Sequence, residues 1–192
     1  MKRKRFVPLY SIYYHSYAKV YRNTSSDSPR LERRRHPVFA RMNADPNVME
    51  FFLNSLSSEE SFAFYQRIQN EFQTCGFGLY AVERKEDHAF MGYTGLHQIT
   101  FDVDFVPGIE IGWRLAHEYW GQGYAPEAAN ACLEYTRNKT DIKELFSFTS
   151  LLNQRSERVM QKIGMERVRE FDHPLVPGEH PLCRHVLYHI KF

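Results

Sequence analysis

The stretch with the clearest chemical content is Ile109–Ala125. Ile109, Ile111, Trp113 and Leu115 alternate with Glu110, Gly112 and Arg114, and a period of two specifies a β-strand. After a short connection come Gly121 and Gly123, and Pro126 takes the seat of a first helical residue. A proline is favoured there because its missing N–H has no helical partner anyway. Strand, glycine turn and helix start leave a row of unpaired N–H groups at a positive helix end, a receptor for phosphate. Two side chains nearby could move a proton. Glu110 shares a strand face with Gly112, and His97 ends an earlier apolar run with an ordinary pKa close to neutrality. Each also has a plainer role open to it: Glu110 as the ion-pair partner of Arg114, His97 as the end of a strand.

Two kinds of site use such a turn. In a dinucleotide-binding Rossmann unit the glycines follow the strand closely, and an acidic residue ends the next strand about twenty residues on. Here Trp120 lies well beyond Leu115, and Glu144 begins the following strand rather than ending it. The stretch instead resembles the acetyl-CoA site of the GNAT superfamily of N-acetyltransferases. That signature (Arg or Gln, two residues, Gly, one residue, Gly or Ala) falls on Trp120–Ala125, where Gly123 and Ala125 fit and Trp120 replaces the usual Arg or Gln. An aromatic residue at that place resembles the branch containing the ribosomal-protein N-terminal alanine and serine acetyltransferases. The resemblance runs from about Pro37 to Tyr188, and Met42-Asn43-Ala44-Asp45-Pro46-Asn47-Val48-Met49-Glu50-Phe51-Phe52 is similar to a hallmark of the family.

The resemblance implies a fold and a division of labour. The fold is one α/β domain: a mixed, mostly antiparallel sheet of six to seven strands, splayed at Ile109–Leu115, with helices on both faces. Acetyl-CoA is the co-substrate, its diphosphate on the N–H groups of Trp120, Gly121, Gln122, Gly123, Tyr124 and Ala125. The backbone of Trp113, Arg114 and Leu115 would bond the thioester carbonyl, and such preorganised donors contribute about 3 kcal/mol each. Glu110 or His97 would take the proton of the amine, directly or through one water. Many members place a tyrosine against the departing thiolate, but the helix Asn153–Ile163 contains none. Ser156 stands at the matching turn. Asn153 matches the residue that bonds the CoA arm, although helix capping alone would explain it. Cys75, Cys132 and Cys183 lie off the strand and the turn, so the amine is expected to attack the thioester directly. The implied acceptor is a primary amine, either a protein N-terminus or a small amine such as an antibiotic or polyamine. A non-catalytic acyl-CoA-binding module is the remaining alternative.

The totals set the frame. A chain of 192 residues suits a single domain with a sizeable core. Three widely spaced cysteines form no disulfide framework and suit a reducing, cytoplasmic compartment. No apolar run is long enough to span a membrane. Ten Lys or Arg in residues 1–35 face only Asp27 and Glu32, which suits a solvated basic extension better than a nucleic-acid-binding arm. Met1 to Tyr14 mimics a leader peptide, but Pro8 interrupts it and no small-residue cleavage site follows. Residues 1–30 are read as an irregular extension to a single domain over 31–192. The family's usual first strand has too little room before Pro37, so it is curtailed or supplied by the alternating Leu9-to-Tyr21 region. A monomer or a homodimer is expected.

The remaining elements follow from pattern and punctuation. Pro37 to Phe52 reads as a helix and a further helical turn, broken at Asp45-Pro46. Ser57 and Glu60 form a capping box for a helix ended by Gly76, with Phe62, Tyr65, Ile68 and Phe72 as its apolar stripe. Phe77–Glu83 and Ala89–His97 read as a strand pair. A small-residue helix starts at Pro126, a strand covers Glu144–Thr149, and Asn153 caps a helix closed by Gly164. Strands near Met165–Phe171 and His185–Ile190 flank a loop rich in proline and histidine. His173, His180, Cys183 and His185 match no closed metal site in their spacing, so no metal is expected; the resemblance places this loop against the acceptor.

Overall fold

A computed structural model describes residues 12–13, 18–21 and 29–192. The segment weighed as a leader peptide lies outside the described residues except for Ile12 and Tyr13. In chain order the elements are β1 (Ile12–Tyr13), β2 (Ala18–Tyr21), α1 (Pro29–Ala44), α2 (Ser58–Cys75), β3 (Leu79–Arg84), β4 (Phe90–Gln98) and β5 (Ile109–Leu115). They continue as α3 (Tyr124–Lys139), β6 (Glu144–Ser150), α4 (Gln154–Lys162), β7 (Glu166–Asp172) and β8 (Arg184–Lys191). One sheet holds the strands in the order β1-β2-β3-β4-β5-β6-β8-β7. Strands β3 to β8 form its body, and the two short ones extend one edge through antiparallel pairing of Ala18–Tyr21 with β3.

Every pairing in the sheet is antiparallel except one. Strand β5 pairs with β4 along its whole length, from Gly92↔Leu115 to Gln98↔Ile109. On its other side it meets β6 in parallel at Glu110↔Phe146 and then diverges. This splay opens a wedge beside Gly112–Leu115. Strand alternation sends opposite faces of β4 to different helices. Tyr93 packs on Phe39 of α1 with ring centroids 6.0 Å apart, whereas Thr94 on the other face lies beside Cys132 of α3. Helices therefore cover both faces. Between sheet and helices lie Val82, Met91, Leu96, Ile111, Leu145, Met160 and Val186, all fully buried. Among the described residues no helix is long and apolar enough to cross a membrane.

Local chemistry accounts for the element ends. Ser57 Oγ accepts from Glu60 N at 3.1 Å, and Glu60 Oε2 accepts from Ser57 N at 2.8 Å, the reciprocal capping box. Gly76 closes α2 at φ 79°, the left-handed conformation that favours glycine. Two of the boundaries that differ from the sequence pattern lie in and after α1. Helix α1 starts at Pro29 and runs through Pro37; Pro29 takes the first helical seat, the helix formers of residues 31–35 carry the helix onward, and Pro37 forfeits one backbone bond. Residues 46–50 form a turn instead of a helix: Asp45 Oδ1 accepts from Asn47 N at 2.8 Å as an N-cap would, and Met49 N donates to Asp45 O at 3.0 Å, but the pattern is not carried into a second turn.

Candidate active site

The glycine turn begins with a 3-10 turn, His117–Tyr119. Trp120 N–H is already bonded to His117 O at 3.1 Å, so this group, expected in the phosphate cradle, is committed elsewhere. Its indole Nε1–H donates to Leu115 O at 2.8 Å, folding the turn back onto the end of β5. Gly121 and Gly123 adopt φ 74° and 87°, and a Cβ at either would meet no protein atom within 4 Å. Glycine is required here by backbone conformation rather than crowding. Gly123 is the N-cap of α3, which therefore starts at Tyr124, and Pro126 sits third in the helix. That seat still needs no N–H, because the first intrahelical bond is Glu127 N to Gly123 O, 3.2 Å. The N–H groups of Gly121 to Ala125 thus precede the helical ladder and surround open space, an arrangement that fits a diphosphate.

The wedge beside β5 supplies further N–H groups. Ala116 N donates to Met91 O at 2.9 Å, so alternation turns the N–H groups of Arg114 and Gly112 toward β4 as well. Those of Trp113 and Leu115 point the other way, into the splay. The expected trio is therefore split: Trp113 and Leu115 offer donors to the wedge, and Arg114 N–H belongs to the ladder. The Arg114 side chain has a separate task. Its Nη1 donates to Asn43 Oδ1 at 2.8 Å, and the guanidinium lies 4.2 Å from the centroid of Phe52. It pins the segment after α1 over the sheet and does not pair with Glu110.

Across from the wedge stand the two proton-transfer candidates. His97 and Glu110 are direct partners on β4 and β5. Burial pushes the Glu110 carboxyl up to about 7, with His97 opposing and Glu71 reinforcing the rise. A carboxylate tuned to neutrality is suited to accept a proton there. The His97 ring is raised above its ordinary value, first by its hydrogen bond to Glu71, so it favours the protonated form. Glu71 Oε2 lies 2.8 Å from His97 Nδ1, and Glu71 Oε1 accepts from Gln98 N at 2.9 Å. Sequence reasoning missed Glu71. The signal was a carboxylate on the buried stripe of α2, one turn from Ile68 and beside Phe72.

On the opposite wall Asn153 Oδ1 accepts from Ser156 N at 3.1 Å, and Asn153 Nδ2 donates to Thr149 Oγ1 at 3.0 Å. Asn153 is the N-cap of α4 and lines the cleft together with Ser156. Arg155 was also missed: it stacks over Trp120 at 4.7 Å and pairs with Glu50. Arg155, Arg158 and Lys162 line the cleft, and their i, i+3, i+7 spacing puts them on one side of α4. The cleft is one cavity of about 940 Å³. It brings together Glu110, His97, Trp113, Leu115, Gly121, Gly123, Asn153 and Ser156. Cys132 stays out of it, buried in the core with its thiol pushed up to about 12 by that burial.

Residues 30–166 match the acetyltransferase (GNAT) domain family. The chain belongs to this family. Among relatives, YkkB of Bacillus subtilis (strain 168) is 28% identical over 151 residues, 77% of this chain and 87% of its own length. A ribosomal-protein-S5-alanine acetyltransferase from Vibrio fischeri superposes with a TM-score of 0.70 at 17% identity, covering 93% of this chain and 95% of that one. A spermidine N-acetyltransferase from Vibrio cholerae, solved with CoA and spermine, gives 0.68 at 14% identity, covering 91% and 95%. Family members with different acceptors thus share this fold, and the acceptor has to be argued from the cleft itself.

Proposed function

We propose that the chain is an acetyl-CoA-dependent N-acetyltransferase that moves an acetyl group directly from the thioester to a primary amine. Acetyl-CoA supplies the activated acyl group. The N–H groups of Gly121–Ala125 hold the diphosphate, aided by the positive end of α3. Asn153 lies along the arm, and Trp113 and Leu115 N–H donate to the thioester carbonyl as charge develops on it. Glu110 takes a proton from the amine, directly or through one water, while the nitrogen bonds the carbonyl carbon and the carbon–sulfur bond breaks. Ser156 serves the departing sulfur. The observation that carries this reading is the place of Glu110, paired with His97 on β4 and lining one cavity with the wedge residues Trp113 and Leu115, where burial pushes its carboxyl up to about 7.

Between acceptors, the cleft favours a singly charged amine such as a protein N-terminus. A polyamine or aminoglycoside needs several carboxylates. The carboxylates lining the cleft, among the described residues, are Glu60 and Glu110, and Glu60 already bonds Ser57 N. The free thiols Cys75, Cys132 and Cys183 suit a cytoplasmic enzyme. A thiol-release assay with acetyl-CoA against peptides and small amines tests the reading. Release of CoA above hydrolysis supports it; bound acetyl-CoA with no productive acceptor leaves an acyl-CoA-binding module instead. Mixing with acetyl-CoA alone should leave every cysteine unmodified by mass spectrometry, and a trapped S-acetyl adduct would contradict direct attack.

A further inference from the structure

Beyond Glu110 the sheet carries a patch that the acetyl-transfer chemistry does not use. Glu110 is in register with Phe146, so its side chain and those of Phe146 and Phe148 stand on one face. Phe148 lies in contact with a ring box made from three other segments. Phe101, from the loop between β4 and β5, is 5.5 Å from Phe148 and 4.5 Å from His173. His173 is 4.8 Å from His185. Phe101, Phe148, His173 and His185 all line the cleft and are only partly buried. Core packing would have closed these rings over; instead they present faces to the same cavity as the base.

The box is also uncharged. His173 Nδ1 accepts the Leu175 N–H at 3.2 Å, which requires a free lone pair and so a neutral ring. Burial drives His173 down to about 4, with His185 adding to the fall. Burial likewise lowers His185, whose Nδ1 donates to Cys183 O at 3.0 Å. The wall continues through Leu175 and Leu182, the former 66% exposed at the mouth. Such a surface gains from burying an apolar body and offers no counter-charge to a second cation.

Resting on the acetyl-transfer reading, we propose that the acceptor is a primary amine carried on an uncharged apolar or aromatic body, which lies in the Phe101–Phe148–His173–His185 box while its nitrogen faces Glu110. Two sources share this chemistry: a peptide with an apolar first residue, and a free monoamine.

The test is CoA release by the full chain with N-terminal Leu and Phe peptides, 2-phenylethylamine, matched peptides beginning with Lys or Asp, and spermidine. The expected result is a kcat/KM for the apolar amines at least about tenfold above the charged ones. The peptide and monoamine arms then identify the source. Phe148→Ala should lower kcat/KM for the apolar amines about tenfold, chiefly through KM, with acetyl-CoA affinity within about twofold. Phe148→Leu should recover part of the loss. If Phe148→Ala no longer binds acetyl-CoA, Phe101→Ala on the facing loop gives the same readout. Preference for spermidine or the Lys peptide, or equal losses for all amines in both variants, overturns the proposal alone. Silence of every amine with acetyl-CoA bound overturns the acetyl-transfer reading and this proposal with it.

Discussion

The two halves of the cleft are built on different principles. In the function proposed above, the donor half is made mostly of backbone: N–H groups of the wedge, a turn with two left-handed glycines, and the start of a helix, with Asn153 of α4 beside them. Its backbone parts are contiguous in the chain, from Ile109 to Ala125. The proposed acceptor half is made of side chains brought from four separate places: Phe101 from a loop, Phe148 from β6, and His173 and His185 from either side of the β7–β8 connection. A backbone receptor binds any ligand with the right phosphate geometry, so its sequence can vary around a few fixed glycines. A side-chain receptor changes its ligand with each substitution. A ribosomal-protein and a spermidine acetyltransferase both share the fold.

If that contrast is right, substitutions in the halves should separate binding of donor from choice of acceptor. The largest effect is expected for Gly123→Glu, which places a side chain at φ 87° and a negative charge in the cradle. Acetyl-CoA binding should disappear by calorimetry, and unchanged affinity would sink the backbone-cradle account. Glu110→Gln comes next. It should lower kcat/KM by about 10²–10⁴-fold while acetyl-CoA affinity is retained. In the parent protein kcat/KM should rise with pH through about 7 as Glu110 loses its proton, and the variant should lose that limb.

Two smaller effects sharpen the boundary between the halves. Asn153→Ala removes a helix cap worth about 1 kcal/mol, a Tm loss of about 2–4 °C, together with weaker acetyl-CoA binding. A Tm loss with unchanged binding would reduce Asn153 to a cap. The smallest effect concerns pH and stability. Glu110 has a folded pKa above its ordinary 4.5, so its burial penalty appears as pH rises from 4.5 toward 7. Glu110→Gln should therefore be more stable than the parent above pH 7 and equal to it below 4.5. His97 is raised by Glu71 from 6.5; its contribution is complete below 6.5 and lost as pH climbs through the raised value. Thermal melts of Glu110→Gln and His97→Gln across pH 4–9 check both signs.

The same division governs what could be read from the chain without coordinates. Strand β5 was legible to its boundaries because alternation, glycine and proline are all local signals. So were the capping box of α2 and the Asn153 cap. The glycine turn was legible as a segment, but which N–H groups are spent within the protein was not: Trp120 is spent on His117 and Arg114 on β4, and both facts depend on pairing. Glu71 was hidden for the same reason. Its partners lie 26 and 27 residues away, a separation at which spacing carries no information. The aromatic box is the extreme case, since Phe101 and His173 are neighbours only after β5, β6 and the β7–β8 hairpin have assembled.

The bond from the Trp120 indole to the Leu115 carbonyl has a kinetic consequence. With Trp120 N–H on His117 and Gln122 Nε2 donating to Glu118 O at 2.8 Å, the turn is held in several places by its own bonds. The entropy of ordering it is spent when the chain folds, so arrival of the nucleotide need not wait for a loop to close. Capture should then run at a rate set by diffusion and orientation. CoA derivatives that differ at the sulfur should associate equally fast, and residence time alone should tell them apart.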